Sequence, residues 1–203
     1  GNHAQGVALA ATKSGIKSLI CLPDTAPISK IEATKSFGAD VCLVKGCYDD
    51  AHQKALQLKE SEGYTFIHPF DDEDVIAGQG TIALEVLNEL ENIDAIVVPV
   101  GGGGLISGIA FAAKQIKPSV KIYGVQVAGA ASMFNSVRDC KIECLQHVHT
   151  IADGIAVKKP GENTFKYVNE YVDELALVTD DEVSSAILGL IEKQKMIAEG
   201  AGA

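Results

Sequence analysis

Apolar positions along this 203-residue chain switch between two spacings, one suited to helices and one to strands. Ala4, Val7, Ala8 and Ala11 recur at helical intervals, and the stretches 29–37, 50–62 and 162–172 carry the same period. Between them stand short apolar runs at 18–22, 41–44, 65–67, 95–100, 120–127 and 176–178, which read as strands. Ile96-Val97-Val98-Pro99-Val100 has the continuous apolar character of a strand buried on both faces. Gly38 and Gly63 follow helical stretches directly, as helix-ending glycines do. A longer helix is predicted over 73–90 although Gly78 and Gly80 lie inside it, each costing roughly 1 kcal/mol against alanine. Close approach of another backbone or of a ligand would account for them. A last helix is predicted over 181–196, capped by Thr179 or Asp180.

Helix and strand patterns thus alternate almost without break, so the expected fold class is α/β, with parallel sheets and helices on both faces. Asp71-Asp72 marks the expected boundary between a small α/β domain, 1–71, and part of a larger one, 72–203. There is no internal repeat and no low-complexity tract.

Within the larger region the run VVPVGGGGLISGIA passes from a strand pattern into a helix pattern across four glycines. A strand-to-helix turn of this kind aims several N–H groups and the positive end of a helix dipole at one place, which favours an anion. The dinucleotide fingerprint places glycines at first, third and sixth positions. Counting from Gly101 or Gly102, the sixth residue is Ile106 or Ser107. No acidic residue stands about 20 positions further on, where Lys121 and Ile122 lie. Nor does a Gly-Lys-Ser/Thr triplet close the loop as in an ATP-type phosphate loop. A single phosphate on a compact cofactor fits better; a tight turn that binds nothing is the alternative.

Composition narrows the classes. The chain is 47% hydrophobic and 22% charged with a net charge of −10, so it is globular, and without a basic patch nucleic-acid binding is not expected. No apolar run reaches the 18 or so residues of a membrane span. Cys21, Cys42, Cys47, Cys140 and Cys144 form no Cys-x-x-Cys pair and read as buried free thiols of a reducing compartment.

Five stretches together resemble the threonine dehydratase and serine racemase group of fold-type-II pyridoxal-phosphate enzymes, closest to the catabolic type of threonine dehydratase. They are GNHAQG at 1–6, HPFDDEDVIAGQGTIALEVLNEL at 68–90, PVGGGGLISGIA at 99–110, TIADGIAV at 150–157 and EGAGA at 199–203. The likeness covers essentially the whole chain. It implies a tryptophan synthase β-like architecture of two open, twisted, mostly parallel sheets flanked by helices. It implies pyridoxal 5'-phosphate as cofactor, with Gly101, Gly102, Gly103, Gly104 and Leu105 as the cup for its phosphate. Asn2 would bond the cofactor's phenolic oxygen, and the helix start at Asn2 and His3 would grip the substrate carboxylate. For His3 the backbone rather than the ring is expected to matter. A plain helix cap is the other reading of Asn2. Glu199 and the Asp153-Gly154 turn would lie beside the cofactor ring, against the alternatives of a helix-end charge and a turn. Gln126 stands where racemase-type relatives carry a metal-binding Glu. An amide among small residues suits Mg²⁺ or Ca²⁺ poorly, so no metal site is expected.

The resemblance implies dehydration and deamination of L-threonine and L-serine to 2-oxobutanoate or pyruvate and ammonia. Serine racemase and 3-hydroxyaspartate dehydratase are alternatives that share the cofactor frame. A non-catalytic phosphate-binding fragment is the reading from another class. The chain opens on Gly1 and stops at Ala203, so an internal fragment is expected, incomplete at both ends. The family's Schiff-base lysine would lie upstream of Gly1, leaving no catalytic residue in the chain. A cytoplasmic homo-oligomer, dimer or tetramer, binding neither membrane nor nucleic acid, is what the resemblance implies for the whole. Gly103→Val is expected to weaken cofactor binding far more than the fold, and Gly108→Ala to be tolerated.

Overall fold

A computed structural model of the chain describes residues 2–46, 48–90 and 92–203, so Gly1 of the first motif and Cys47 lie outside the described residues. The chain divides into two compact units, one ending at Ile67 and the other running His68–Ala203.

The first unit holds α1 (Asn2–Lys13), β1 (Leu19–Pro23), α2 (Ile28–Ser36), β2 (Asp40–Val44) and α3 (Tyr48–Glu62). β1 and β2 pair in parallel, Leu19 opposite Asp40 and Pro23 opposite Val44. Gly38 takes φ 89° after α2 and Gly63 takes φ 73° after α3, the left-handed turns that end helices. The expected strand at 65–67 is absent. That segment pairs with neither strand of the unit, and Ile67 is 40% exposed. An apolar run without a ladder partner does not become a strand.

The second unit holds α4 (Glu73–Glu89), β3 (Ala95–Pro99), α5 (Gly104–Ile116), β4 (Lys121–Val127), α6 (Ser132–Arg138), α7 (Glu162–Tyr171), β5 (Glu174–Val178) and α8 (Asp180–Gly189). Its sheet has the order β3-β4-β5, all parallel. α8 ends seven residues short of the expected 196 and passes into a π-type turn, Leu190–Gln194, closed by Lys195 at φ 57°. No residue of that turn is buried, so no packing holds a regular helix there. Thr179 caps α8 reciprocally: its hydroxyl accepts from the Glu182 amide while Glu182 accepts from the Thr179 amide.

One core joins β3 and β4 to α4, α5, α6 and α7, through Val98, Val100, Ile106, Ile109, Ile122, Met133 and Val168. The opposite face of β3 is open rather than buried as expected, with Val97 65% exposed. α4 runs unbroken through Gly78 and Gly80 because Gly80 meets α5. A Cβ built there would stand 3.1 Å from the Gly108 carbonyl oxygen. In return a Cβ on Gly108 would overlap the Ile76 carbonyl oxygen and stand 2.6 Å from the Gly80 nitrogen. Gly108 therefore does not tolerate alanine: two helices touch backbone to backbone at that point. Gly78 faces open space and has no such reason.

Candidate functional site

The four glycines form the turn between β3 and α5. Gly103 caps the helix at φ 98°, ψ −5°, a left-handed conformation that side chains rarely adopt. Gly102, Gly103 and Gly104 are buried. The turn is held from behind. Thr164 Oγ1 donates to the Gly102 carbonyl at 2.6 Å, and the Gly161 amide donates to it at 3.3 Å. Gln126 Nε2 donates to the Gly101 carbonyl at 3.4 Å and to the Ala130 carbonyl at 3.3 Å, while its Oε1 accepts from the Phe134 amide at 2.7 Å. With the carbonyls occupied on one side, the amides of Gly101 through Ile106 meet no protein acceptor among the described residues.

The glycines make room for neighbouring protein. A Cβ on Gly102 would stand 2.5 Å from the Phe70 ring, and one on Gly104 2.8 Å from Phe70 Cβ. On Gly103 it would stand 2.6 Å from Met133 Cε and 2.8 Å from Thr164 Cβ. Gly103→Val therefore also strikes the packing behind the loop, so its effect reaches the fold as well as the loop amides.

Asp71 and Asp72 each begin a helix in the second unit. Asp72 Oδ1 accepts from the Asp74 and Val75 amides at the start of α4. Asp71 reaches across the sequence to α7, where its carboxylate accepts from the amides of Glu162, Asn163 and Thr164 at 2.9, 2.8 and 3.1 Å. His68 Nδ1 accepts from the Phe70 and Asp71 amides at 3.3 and 2.8 Å. A continuous run of contacts thus leads from the His68 turn through Asp71 and α7 to Thr164 and the glycine loop. Sequence reasoning missed Phe70, Asp71 and Thr164, because the partners are about 30 to 90 residues apart and no local pattern connects them. The new role of Gln126 was equally hidden. It is 1% exposed and fully bonded, a brace for the loop and for α6.

Other expected positions fall into two places. Gly101 packs on the Asp153–Ile155 turn, its Cβ position 3.1 Å from Ile155 Cα. Gly154 meets Glu199, whose Oε1 would lie 3.4 Å from a Cβ there. Leu105, half-buried, packs against the core cluster. Beside these residues lies a cavity of about 270 Å³ lined by Pro99, Val125, Val127, Ile155 and Ala201. Asn2 and His3 open α1 of the first unit. The His3 ring, not only its backbone, is engaged: Nε2 donates to the Ile67 carbonyl at 3.0 Å. Among the described residues no three His, Cys, Asp or Glu side chains gather as a metal site would need.

A parallel α/β unit with a glycine turn that opens a helix has the layout that favours an anion. The match of all residues 1–203 to the family described as pyridoxal-phosphate dependent enzymes narrows the class: the chain belongs to that family. Over its 203 residues it is 51% identical to L-threonine ammonia-lyase of Thermotoga maritima, covering 51% of that protein. It superposes on the processed form of threonine deaminase isoform 2 from Solanum lycopersicum with a TM-score of 0.96, at 45% identity, covering all of this chain and 59% of that one. Maize serine racemase gives a TM-score of 0.96 at 38% identity, with 61% of its chain covered. The chain thus spans about half the length of the curated relatives it matches, and its architecture is that of fold-type-II pyridoxal-phosphate enzymes.

Proposed function

We propose that the full-length protein is an ammonia-lyase that converts L-threonine to 2-oxobutanoate and ammonia, and L-serine to pyruvate and ammonia. The observation that carries this reading is the braced loop, whose amides from Gly101 to Ile106 meet no protein acceptor among the described residues. The identity to threonine ammonia-lyase over the whole chain supports it.

The residues fit pyridoxal phosphate. Amides of Gly101, Gly102, Gly103, Gly104 and Leu105 would hold its phosphate dianion, strengthened by the positive end of α5. When bound, the cofactor supplies an electron sink for bond breaking at the amino acid's α-carbon. This chain's own residues do the holding. Gln126 and Thr164 keep the loop carbonyls turned away, so the amides face the anion. Gly154 and Glu199 would border the cofactor ring. Asn2 would bond its phenolic oxygen, and Asn2 and His3, at the start of α1, would hold the substrate carboxylate. The free thiols of Cys21, Cys42, Cys140 and Cys144 support a cytoplasmic, reducing setting. Among the described residues no helix is long and apolar enough to cross a membrane. The whole protein is read as a homodimer or homotetramer, which light scattering on it would test.

The test is an assay of the full-length protein on L-threonine. Formation of 2-oxobutanoate with one equivalent of ammonia supports the reading, and its absence in cofactor-loaded protein contradicts it. Assaying D-serine from L-serine tests the racemase alternative, which the lower identity to the racemase supports less.

A further inference from the structure

Cys21 of β1 and Cys42 of β2 are register partners in the parallel pair. Paired residues of neighbouring strands project to the same face, with the strands about 4.8 Å apart. The two thiols are therefore side by side, close enough for Cys42 to act on Cys21. Both are free and half-buried, and the Lys54 ammonium of α3 acts on Cys21. Burial, with the neighbouring thiol, pushes the Cys21 thiol up to about 11. As a single nucleophile it is therefore weak at neutral pH. A centre that bonds both sulfurs escapes this limit, because its second bond forms inside a preset pair. A direct S–S bond fits less well: it wants Cβ atoms about 3.8 Å apart, closer than the strand spacing of about 4.8 Å. One soft atom between the sulfurs spans that gap without drawing the strands together.

We propose that Cys21 and Cys42 form a dithiol site that chelates one thiophilic centre of the trivalent-arsenical class. With an organoarsenic(III) oxide, two As–S bonds form and the arsenic–oxygen bond breaks. Both thiol protons leave with that oxygen as one water, arsenic stays trivalent, and no oxidant is needed. The site lies within the first unit and does not depend on the function proposed above. Cys140 and Cys144 are exposed, and their thiols turn to different carbonyls, those of Val137 and Leu145.

The test uses phenylarsine oxide on the reduced full-length protein, followed by trypsin digestion without added thiol. Cys21 and Cys42 fall on separate tryptic peptides, 18–30 and 36–45. The expected product is one species in which a phenylarsenic group bridges these two peptides. It should resist a monothiol and be removed by 1,2-ethanedithiol. Cys21→Ser and Cys42→Ser should each lower the affinity by about a hundredfold or more, with an unchanged circular-dichroism spectrum. Two independently modified peptides, a bridge elsewhere with none here, or a single variant that binds as well as the parent would overturn the proposal.

Discussion

The second unit buries Val98, Val100, Ile106, Ile122 and Met133 almost completely in a single cluster. The first buries mostly alanines, Ala4, Ala8, Ala39 and Ala51, with Leu22, Ile31 and Leu58 beside them. A fully buried large aliphatic side chain contributes roughly 1.5–3 kcal/mol, and an alanine methyl much less. The contrast has a functional sense. A loop that must present a row of amides to an anion needs a stiff support, and it is the heavily packed unit that carries the loop. Hydrogen exchange on the full-length protein should therefore show the β3, β4 and α5 amides protected far longer than those of β1 and β2. Equal protection would remove the contrast.

The largest expected effect breaks the support of the second unit. Gly108→Ala places a methyl against the Ile76 carbonyl, where neither backbone can give way. Overpacking typically costs about 1–3 kcal/mol, and against two backbones the upper end is expected, read as a lower denaturation midpoint. Next comes Thr164→Val, which removes the shorter of the two hydrogen bonds to the buried Gly102 carbonyl and leaves it only the Gly161 amide at 3.3 Å. It should cost about 1–3 kcal/mol and weaken pyridoxal-phosphate affinity about tenfold, whereas Thr164→Ser should restore most of both.

Asp173 gives the pH-dependent member of the series. Its carboxylate is held well below the usual range by Lys114 at 2.7 Å, then Lys121 at 2.7 Å, with the Ile122 amide adding at 2.8 Å. A depressed folded-state value means that its contribution is complete above about pH 4, the unfolded carboxylate value, and is lost as pH falls below it. Asp173→Asn should lower stability at neutral pH by about 1–2 kcal/mol and flatten the acid limb of the stability curve. An unchanged limb would mean that the clamp is only a surface contact. The smallest effect has the opposite sign. Gly78→Ala, facing open space in the same helix as Gly80, should raise stability by up to about 1 kcal/mol.

Much of this was legible in the sequence. Alternating periods foretold the α/β order, because helix and strand spacing are local properties, and the glycine run marked the turn it forms. The extended segment 65–67 was misread because a strand depends on a partner that periodicity does not reveal. α6 was missed, since seven residues with Met133, Phe134 and Val137 give too short a period to stand out. The purpose of Gly80 and Gly108 was half visible: a close approach was expected at Gly80, but not that its partner would be Gly108. Phe70, Asp71 and Thr164 were invisible as a group, because only folding brings α7 to the loop. Gln126 was noticed for the carboxylate it is not, whereas its work is the three hydrogen bonds it makes.

The central claim is that the amides of Gly101 through Ile106 receive the cofactor's phosphate. Hydrogen-exchange mass spectrometry of the cofactor-free full-length protein tests it directly, comparing added pyridoxal phosphate with added pyridoxal, which lacks the phosphate. The account predicts that peptides spanning 101–106 slow about tenfold or more with pyridoxal phosphate, as amides entering charge-assisted hydrogen bonds do, and change little with pyridoxal. Equal exchange of these peptides in the presence and absence of saturating pyridoxal phosphate would contradict it.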